Sequence, residues 1–299
     1  MMHSHMLVLA AVLAYLSRLP SQWLIHSPQP WTSRWASTLS AFVVPPLFLL
    51  TTAIAIVMMG PNGPLPLEGW VSFGVSSIFL VVALSYWVYL SWVAVSLRKQ
   101  LRQYPRQSIT TASQTVVGRV TQATSIFSAQ VGFWSSELVV SQGLLDELDD
   151  EHLEAVLAHE AGHDYYRDTF WFFWLGGLRR LTRWLPYTDE LWQELLLLRE
   201  MRADRWATRS VDKVVLAEAL MNAVTASITT PMGMAESVHE EAAYAGLSFS
   251  MPRCRLARRI DALLAEDEAS TYTASLLPQK HWLAITLSLS PLLTIPFHH

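Results

Sequence analysis

The chain of 299 residues is 52% hydrophobic and only 15% charged, whereas soluble domains carry about a quarter charged residues. Its net charge of −4 creates no strong field that would suggest a nucleic-acid partner, so direct nucleic-acid binding is not expected. The single cysteine, Cys254, excludes an internal disulfide and a cysteine-based zinc site. The length allows either two domains or one domain combined with membrane segments.

Four apolar segments account for most of the missing charge. No Asp, Glu, Lys or Arg lies between Trp35 and Leu67 or between Trp70 and Leu97, and either stretch can cross a hydrocarbon core of about 30 Å. Two shorter uncharged segments lie near the chain ends, and each could instead be a buried or interfacial helix. We expect about four transmembrane helices, at about 5–17, 36–59 and 70–97 and within 282–299.

Basic residues predict how these helices are oriented. Arg18 and Arg34 lie between the first two segments, whereas the loop 60–69 has no basic residue. Further basic residues follow the third segment and precede the last, namely Arg98, Lys99, Arg102, Arg106, Arg253, Arg255, Arg258 and Arg259. By the positive-inside rule, the N-terminus is outside and residues 98–281 are cytoplasmic. No basic residue precedes the first apolar run, so a cleaved signal peptide is not expected.

The predicted organisation is therefore a membrane region, a cytoplasmic domain and a final membrane helix, at 1–97, 98–281 and 282–299. Short stretches rich in Thr, Val and Ile predict strands early in the domain, at 115–122, 124–130 and 137–143. The rest is helical, except that 228–252 predicts a loop with one short helix. The fold class is an α-helical membrane protein with a mainly α (α+β) domain, placed in the inner or plasma membrane.

The stretch LEAVLAHEAGHDYYRD, residues 153–168, carries the main chemical signal. Asp149 or Asp150 can cap a helix here, which places His159 and His163 on one face, one turn apart. Both imidazoles can then reach one zinc ion. Glu160, directly after the first histidine, can accept the proton of an attacking water. The alternative is an exposed helix with two unrelated histidines.

A second helix is predicted over LLLLREMRADRWA, residues 195–207, with Thr188 as a candidate cap. Glu200 and Asp204 are one turn apart in a leucine-rich sequence, where buried acids are costly without a cation. A solvated acidic stripe beside neighbouring arginines is the alternative. Together with the two histidines, these acids favour a metal site whose third ligand comes from this second helix.

The two motifs, His-Glu-x-x-His and Glu-x-x-Ala-Asp, resemble those of gluzincin-type membrane metallopeptidases. The closer resemblance, over about 115–265, is to the peptidase family of the BlaR/MecR-type sensor-transducers. It implies a zincin-like domain with one Zn²⁺, held by His159, His163 and Glu200 and with Glu160 as the base. It also implies that Asp204 steadies a ligand histidine, and Asp168 lies where the family has an Asp.

The sensor-transducers continue into an outer drug-binding domain, and this chain ends at PFHH, so we expect no β-lactam sensor. The heat-shock and CAAX-type quality-control proteases share both motifs and are the alternative, although they usually place more residues between them. The resemblance implies a protein substrate for a membrane-anchored zinc endopeptidase, for example a transcriptional repressor.

Two questions stay open at this point. The chain could be a non-enzymatic zinc-binding membrane module, but a purely structural site needs no base, so Glu160 favours an enzyme. The charged residues flanking the His-Glu-x-x-His motif exclude a helix within lipid. The aromatic segment Phe170–Trp184 could be a core helix under the zinc site or a helix resting at the inner membrane face.

Overall fold

The computed structural model describes residues 2–26, 31–61, 66–229, 253–264 and 279–297. The chain divides into two compact units. The first unit comprises Met1–Val88, Gly177–Leu196 and Thr271–His299, and the second comprises Tyr89–Gly176 and Leu197–Ser270. The second unit contains all the predicted site residues.

The N-terminal part of the chain is helical. The helices are α1 (Met2–Arg18), α2 (Ser21–His26), α3 (Trp31–Met59) and α4 (Pro66–Leu101). Three segments are long and apolar enough to cross a membrane, namely His3–Ile25, Ser33–Met59 and Leu67–Leu101. They coincide with the three N-terminal helices expected from the sequence, and the first is longer than the predicted 5–17.

Two arginines of this region have partners within the first unit. Arg18 is fully buried, and its Nη2 donates to the carbonyl oxygen of Phe42 at 3.0 Å. Arg34 pairs with the carboxylate of Glu194. The sequence interpretation used both arginines only as markers of orientation, but each also has a structural role inside the unit.

A four-stranded sheet opens the second unit. Its strands are β1 (Arg106–Thr110), β2 (Thr115–Thr121), β3 (Ser128–Gly132) and β4 (Ser136–Ser141). The order is β1-β2-β4-β3, with β2 and β4 parallel and the other two pairs antiparallel. β3 is therefore one edge of the sheet that the described residues form.

The sheet corrects two predictions. The strand expected at 124–130 begins only at Ser128, because the preceding residues form a loop in which the Ala123 carbonyl accepts from the Gly143 N–H at 2.9 Å. The first strand, Arg106–Thr110, was not predicted. Only Ile109 is buried in it, so it lacks the apolar alternation by which strands are recognised.

Between the sheet and residue 264, the described part of the chain forms six helices. They are α5 (Gln142–Glu147), α6 (Asp150–Tyr165), α7 (Asp168–Leu181), α8 (Thr188–Ala207), α9 (Lys213–Thr229) and α10 (Arg253–Leu264). In the second unit, Leu153 and Leu157 of α6 pack against Val120 and Leu138 of the sheet. On its other side α6 packs against α9 and α10, through Ala155 and Ala158. The site helix is thus fixed on two sides.

Two of the other expectations for this region have different outcomes. Thr188 is the first residue of α8, and its hydroxyl donates to the carbonyls of Thr182 and Leu185, so its role as a cap stays a prediction. The loop predicted at 228–252 overlaps the last residues of α9, and the rest of it lies outside the described residues.

The chain ends with α11 (Gln279–Leu287) and a 3₁₀ helix, Ser290–Phe297. Both belong to the first unit and pack on α3, where Thr51 Oγ1 donates to the Ser288 carbonyl at 2.7 Å. The apolar stretch His281–Pro296 is shorter than the three candidate spans. A fourth crossing within 282–299 therefore stays a prediction.

Candidate metal centre

Helix α6 places two imidazoles side by side. Asp149 caps the helix by accepting a hydrogen bond from the His152 N–H at 2.9 Å. The acids of the first turn stabilise the helix by interacting with the positive end of its dipole. His159 and His163 follow on one buried face, with their Nε2 atoms 3.1 Å apart. The helical spacing read from the sequence thus produces a pair of converging nitrogen donors.

Helix α8 supplies an oxygen donor to the same point. Glu200 lies with Oε2 3.5 Å from His159 Nε2 and with Oε1 3.7 Å from His163 Nε2. The donor atoms of the three residues all lie within 4.8 Å of one another, and all three residues are buried. A tetrahedral zinc ion with ligand bonds of about 2.0–2.1 Å holds its donors about 3.3 Å apart, so this group fits such an ion.

Two carboxylates engage the opposite nitrogens of the two rings. Asp204 Oδ1 lies 2.8 Å from His159 Nδ1, and Asp168 Oδ2 lies 2.7 Å from His163 Nδ1. Each carboxylate can accept a hydrogen bond from Nδ1–H. The lone pair of Nε2 is then free to bind a metal ion at the centre. The structure therefore brings Asp168 and Asp204 to the site expected from the sequence, one on each histidine.

The short connection between α6 and α7 positions Asp168 beside His163. Arg167 adopts a φ of 52°, a left-handed conformation that lets one helix end and the next begin almost at once. Asp168 then starts α7 only five residues after His163, and its side chain turns back to the imidazole.

Three buried arginines balance the acids, and the sequence interpretation gave none of them a role in the site. Arg199 Nε donates to Glu200 Oε1 at 3.0 Å, and Arg202 pairs with Asp168. Arg259 Nε donates to Asp204 Oδ2 at 2.7 Å, and its Nη1 lies 3.4 Å from Glu200 Oε2. Arg259 comes from α10 and is only 3% exposed, although the sequence suggested a cytoplasmic topology marker.

The general-base candidate is also in place. Glu160 is 5% exposed, and Ser128 of the edge strand β3 donates to its Oε1 at 2.7 Å. Its Oε2 atom is buried and has no hydrogen-bond partner within the part of the chain that the structure describes. Buried polar atoms normally have partners, so an unsatisfied carboxylate oxygen on the residue after His159 fits a site that could also hold a metal ion and water.

Charge interactions in the site oppose the effect of burial on each pKa. Burial lowers the pKa of His159, but hydrogen bonds to Asp204 and Glu200 outweigh it and raise the pKa to about 9. Burial raises the pKa of Glu200, but the charges of Arg199 and His163 bring it well below its usual range. The carboxylate ligand is thus ionised, and protons compete with metal for the imidazoles.

Gly162 lets the two ligand helices approach closely. A Cβ atom at this position would lie 3.1 Å from both Ala203 Cα and Trp206 Cβ of α8, closer than ordinary packing distances. A glycine between His159 and His163 therefore lets α8 come close enough for Glu200 to lie within 3.7 Å of both imidazoles.

A comparison with protein families supports the interpretation of this centre. Residues 96–188 match the model of peptidase family M48, a family of metal-dependent peptidases that usually use zinc. The match includes His159, Glu160, His163 and Asp168 and ends before Glu200. No curated protein matches the chain.

The family match, the His-His-Glu cluster and the three long apolar helices are features of a membrane-anchored metallopeptidase. The match supports the general resemblance to zinc metallopeptidases. It does not confirm the narrower resemblance to the BlaR/MecR type.

Proposed function

We propose that the protein is a membrane-anchored zinc-dependent endopeptidase that hydrolyses a cytoplasmic or membrane-adjacent protein. The observation that carries the proposal is the arrangement of His159, His163 and Glu200 beside a buried, half-satisfied Glu160. A structural zinc site usually has four protein ligands, whereas a catalytic site has three and leaves a position open. Three converging donors beside a carboxylate therefore favour catalysis.

His159, His163 and Glu200 would hold one Zn²⁺ per chain. When bound, the ion would polarise the scissile carbonyl and acidify a water molecule. Asp204 and Asp168 keep the two imidazoles oriented by accepting from Nδ1. The surrounding arginines keep these acids ionised in a buried site, which would otherwise favour their neutral forms.

Glu160 would move the proton. Ser128 holds Oε1 by donating a hydrogen bond, which leaves Oε2 to accept a proton from the attacking water. The protonated carboxyl can then return that proton to the departing amine. Both transfers use one side chain whose rotamer is fixed by packing and by the hydroxyl of a strand residue.

The edge strand β3 offers a surface along which a substrate could bind. It is at one margin of the described sheet, and its first residue, Ser128, contacts Glu160. An extended peptide pairing with an exposed strand edge gains main-chain hydrogen bonds that do not depend on sequence. A peptide along β3 would thus pass the base, which suits an endopeptidase that acts on unfolded segments.

The basic residues around 98–106 support a cytoplasmic orientation in the inner or plasma membrane. The alternative functions are a heat-shock or CAAX-type quality-control protease and a non-enzymatic zinc module. No residue in the described part of the chain and no family match indicates a repressor as the substrate, so only a protein substrate is proposed.

The proposal is tested by the Glu160→Gln variant. We expect it to keep zinc and fold but to lose proteolysis of casein in detergent by about a hundredfold to ten-thousandfold, the usual contribution of general-base catalysis. Glu151→Gln, in the exposed first turn of the same helix, is the matched control and should cleave at the wild-type rate. Equal cleavage by wild type and Glu160→Gln would leave the non-enzymatic zinc module as the better account.

A further inference from the structure

An exposed cluster of aromatic rings lies in the second unit, on elements other than the helices that carry His159, His163 and Glu200. Its members come from the turn between β3 and β4 and from the start of α7, and we call them the aromatic surface. They are Phe133, Trp134, Phe170, Trp171 and Trp174. Trp134 is 71% exposed, and its ring centroid lies 5.1 Å from that of Phe170. Trp171 is 57% exposed and Trp174 is 40% exposed.

The fold holds these rings close together. Gly132 has a φ of 150°, and a Cβ there would lie 2.2 Å from the Ser135 carbonyl oxygen, so the β3–β4 turn is too tight for another residue. The turn carries Phe133 inward, where its ring lies 4.7 Å from that of Phe173. It carries Trp134 outward, beside the exposed face of α7. Large rings on two rigid elements thus form one continuous surface.

The position of this surface relative to a membrane follows from helix α4. The uncharged stretch of α4 ends at Leu97, so Arg98 marks the level at which the helix leaves the hydrocarbon. Arg98 Nη2 donates to Ser135 Oγ at 3.1 Å. Ser135 directly follows Trp134 in the turn, so the tip of the hairpin lies at the level where α4 meets the headgroups.

The composition of the aromatic surface favours lipid as its binding partner. Tryptophan is enriched where bilayers meet water, because its ring is apolar and its N–H can remain hydrated. The part of α4 that belongs to the second unit exposes Trp92 and Val95, which are 65% and 54% exposed. The second unit therefore exposes apolar side chains both on α4 and on the aromatic surface.

We propose that the aromatic surface inserts into the inner headgroup–acyl boundary of the bilayer that α4 spans. It gives the second unit an attachment to the membrane in addition to the helix itself. In this arrangement the exposed face of α7 rests at the membrane, while Phe172 and Phe173 on the opposite face are buried. The edge strand β3 ends at this attachment, so the substrate-binding edge would be held next to the membrane.

The test uses single-cysteine variants of the full-length chain in lipid nanodiscs. Cys254 is the only cysteine, so Cys254→Ser provides the background for Trp134→Cys and Trp171→Cys. Val117→Cys, on a strand of the same unit and 62% exposed, is the matched control. Each cysteine carries a small fluorophore, and quenching is compared between nitroxide-labelled lipids and aqueous iodide.

We expect labels at 134 and 171 to be quenched severalfold more by lipid nitroxide than the label at 117, and to be shielded from iodide. Retained zinc content identifies correctly folded variants, and the two positions lie on separate elements, so each reports independently. Iodide access like that at 117 would overturn the proposal. Shielding from both quenchers would also overturn it, because a protein rather than lipid would then cover the surface.

Discussion

Each site histidine is bonded to a different acid, and each acid is bonded to a different arginine. Asp204 is hydrogen-bonded to His159 and pairs with Arg259. Asp168 is hydrogen-bonded to His163 and pairs with Arg202. The carboxylate fixes the ring and its proton, while the arginine keeps the carboxylate ionised in a buried position. The same bonds raise the proton affinity of the imidazoles, so zinc binding must displace protons.

Removing one of these acidic charges should weaken zinc binding without removing a ligand. For Asp168→Asn and Asp204→Asn we expect about tenfold to a hundredfold lower zinc affinity, the usual cost of disturbing a residue behind a metal ligand. Competition with a chelating dye measures the dissociation constant. Asp189→Asn also removes an acid paired with an arginine, Arg179, but Asp189 is 45% exposed and lies about three turns before Glu200 on α8. It should leave zinc affinity unchanged. Wild-type affinity in both site variants would refute the role of these acids.

At the scale of elements, the site depends on how closely two helices approach. α6 carries the two histidines, α8 carries Glu200, and Gly162 contacts the backbone of Ala203 without a side chain between them. The glycine costs the helix about 1 kcal/mol relative to alanine. The close contact it permits is a physical reason for a glycine between two metal ligands.

Helices α6 and α8 could be predicted from the sequence because their signals are local. Asp149 caps α6, and the spacing of His159 and His163 follows from helical geometry alone. The sequence also placed Glu200 and Asp204 one turn apart on a single face, and the structure brings both to the histidines.

The sequence interpretation missed the contributions that depend on distant parts of the chain. Arg259 reaches Asp204 from a helix that begins about fifty residues later, and its place in a basic run suggested only a marker of cytoplasmic topology. Ser128 reaches Glu160 from a strand whose start was predicted too early. Neither contact has a local pattern, because both depend on packing between elements.

At the scale of the whole molecule, the account requires the second unit to face the cytoplasm. We expect a cysteine at position 117, in a Cys254→Ser chain, to react with a membrane-impermeant maleimide only after cells are opened. A cysteine at position 67, where Leu67 is 79% exposed at the start of α4, should react in intact cells. The reverse pattern would show that the basic residues near 98–106 had been misread as an inner boundary.

The metal content of the purified full-length chain tests the central claim most directly. The account predicts one zinc per wild-type chain and none in the His159→Ala/His163→Ala double variant, because one carboxylate cannot retain the ion without both imidazoles. His152→Ala is the matched control, since His152 lies on the same helix but contacts Asp149 rather than the ligand cluster, and it should keep its zinc. Full zinc retention in the double variant would contradict the site and the peptidase built on it.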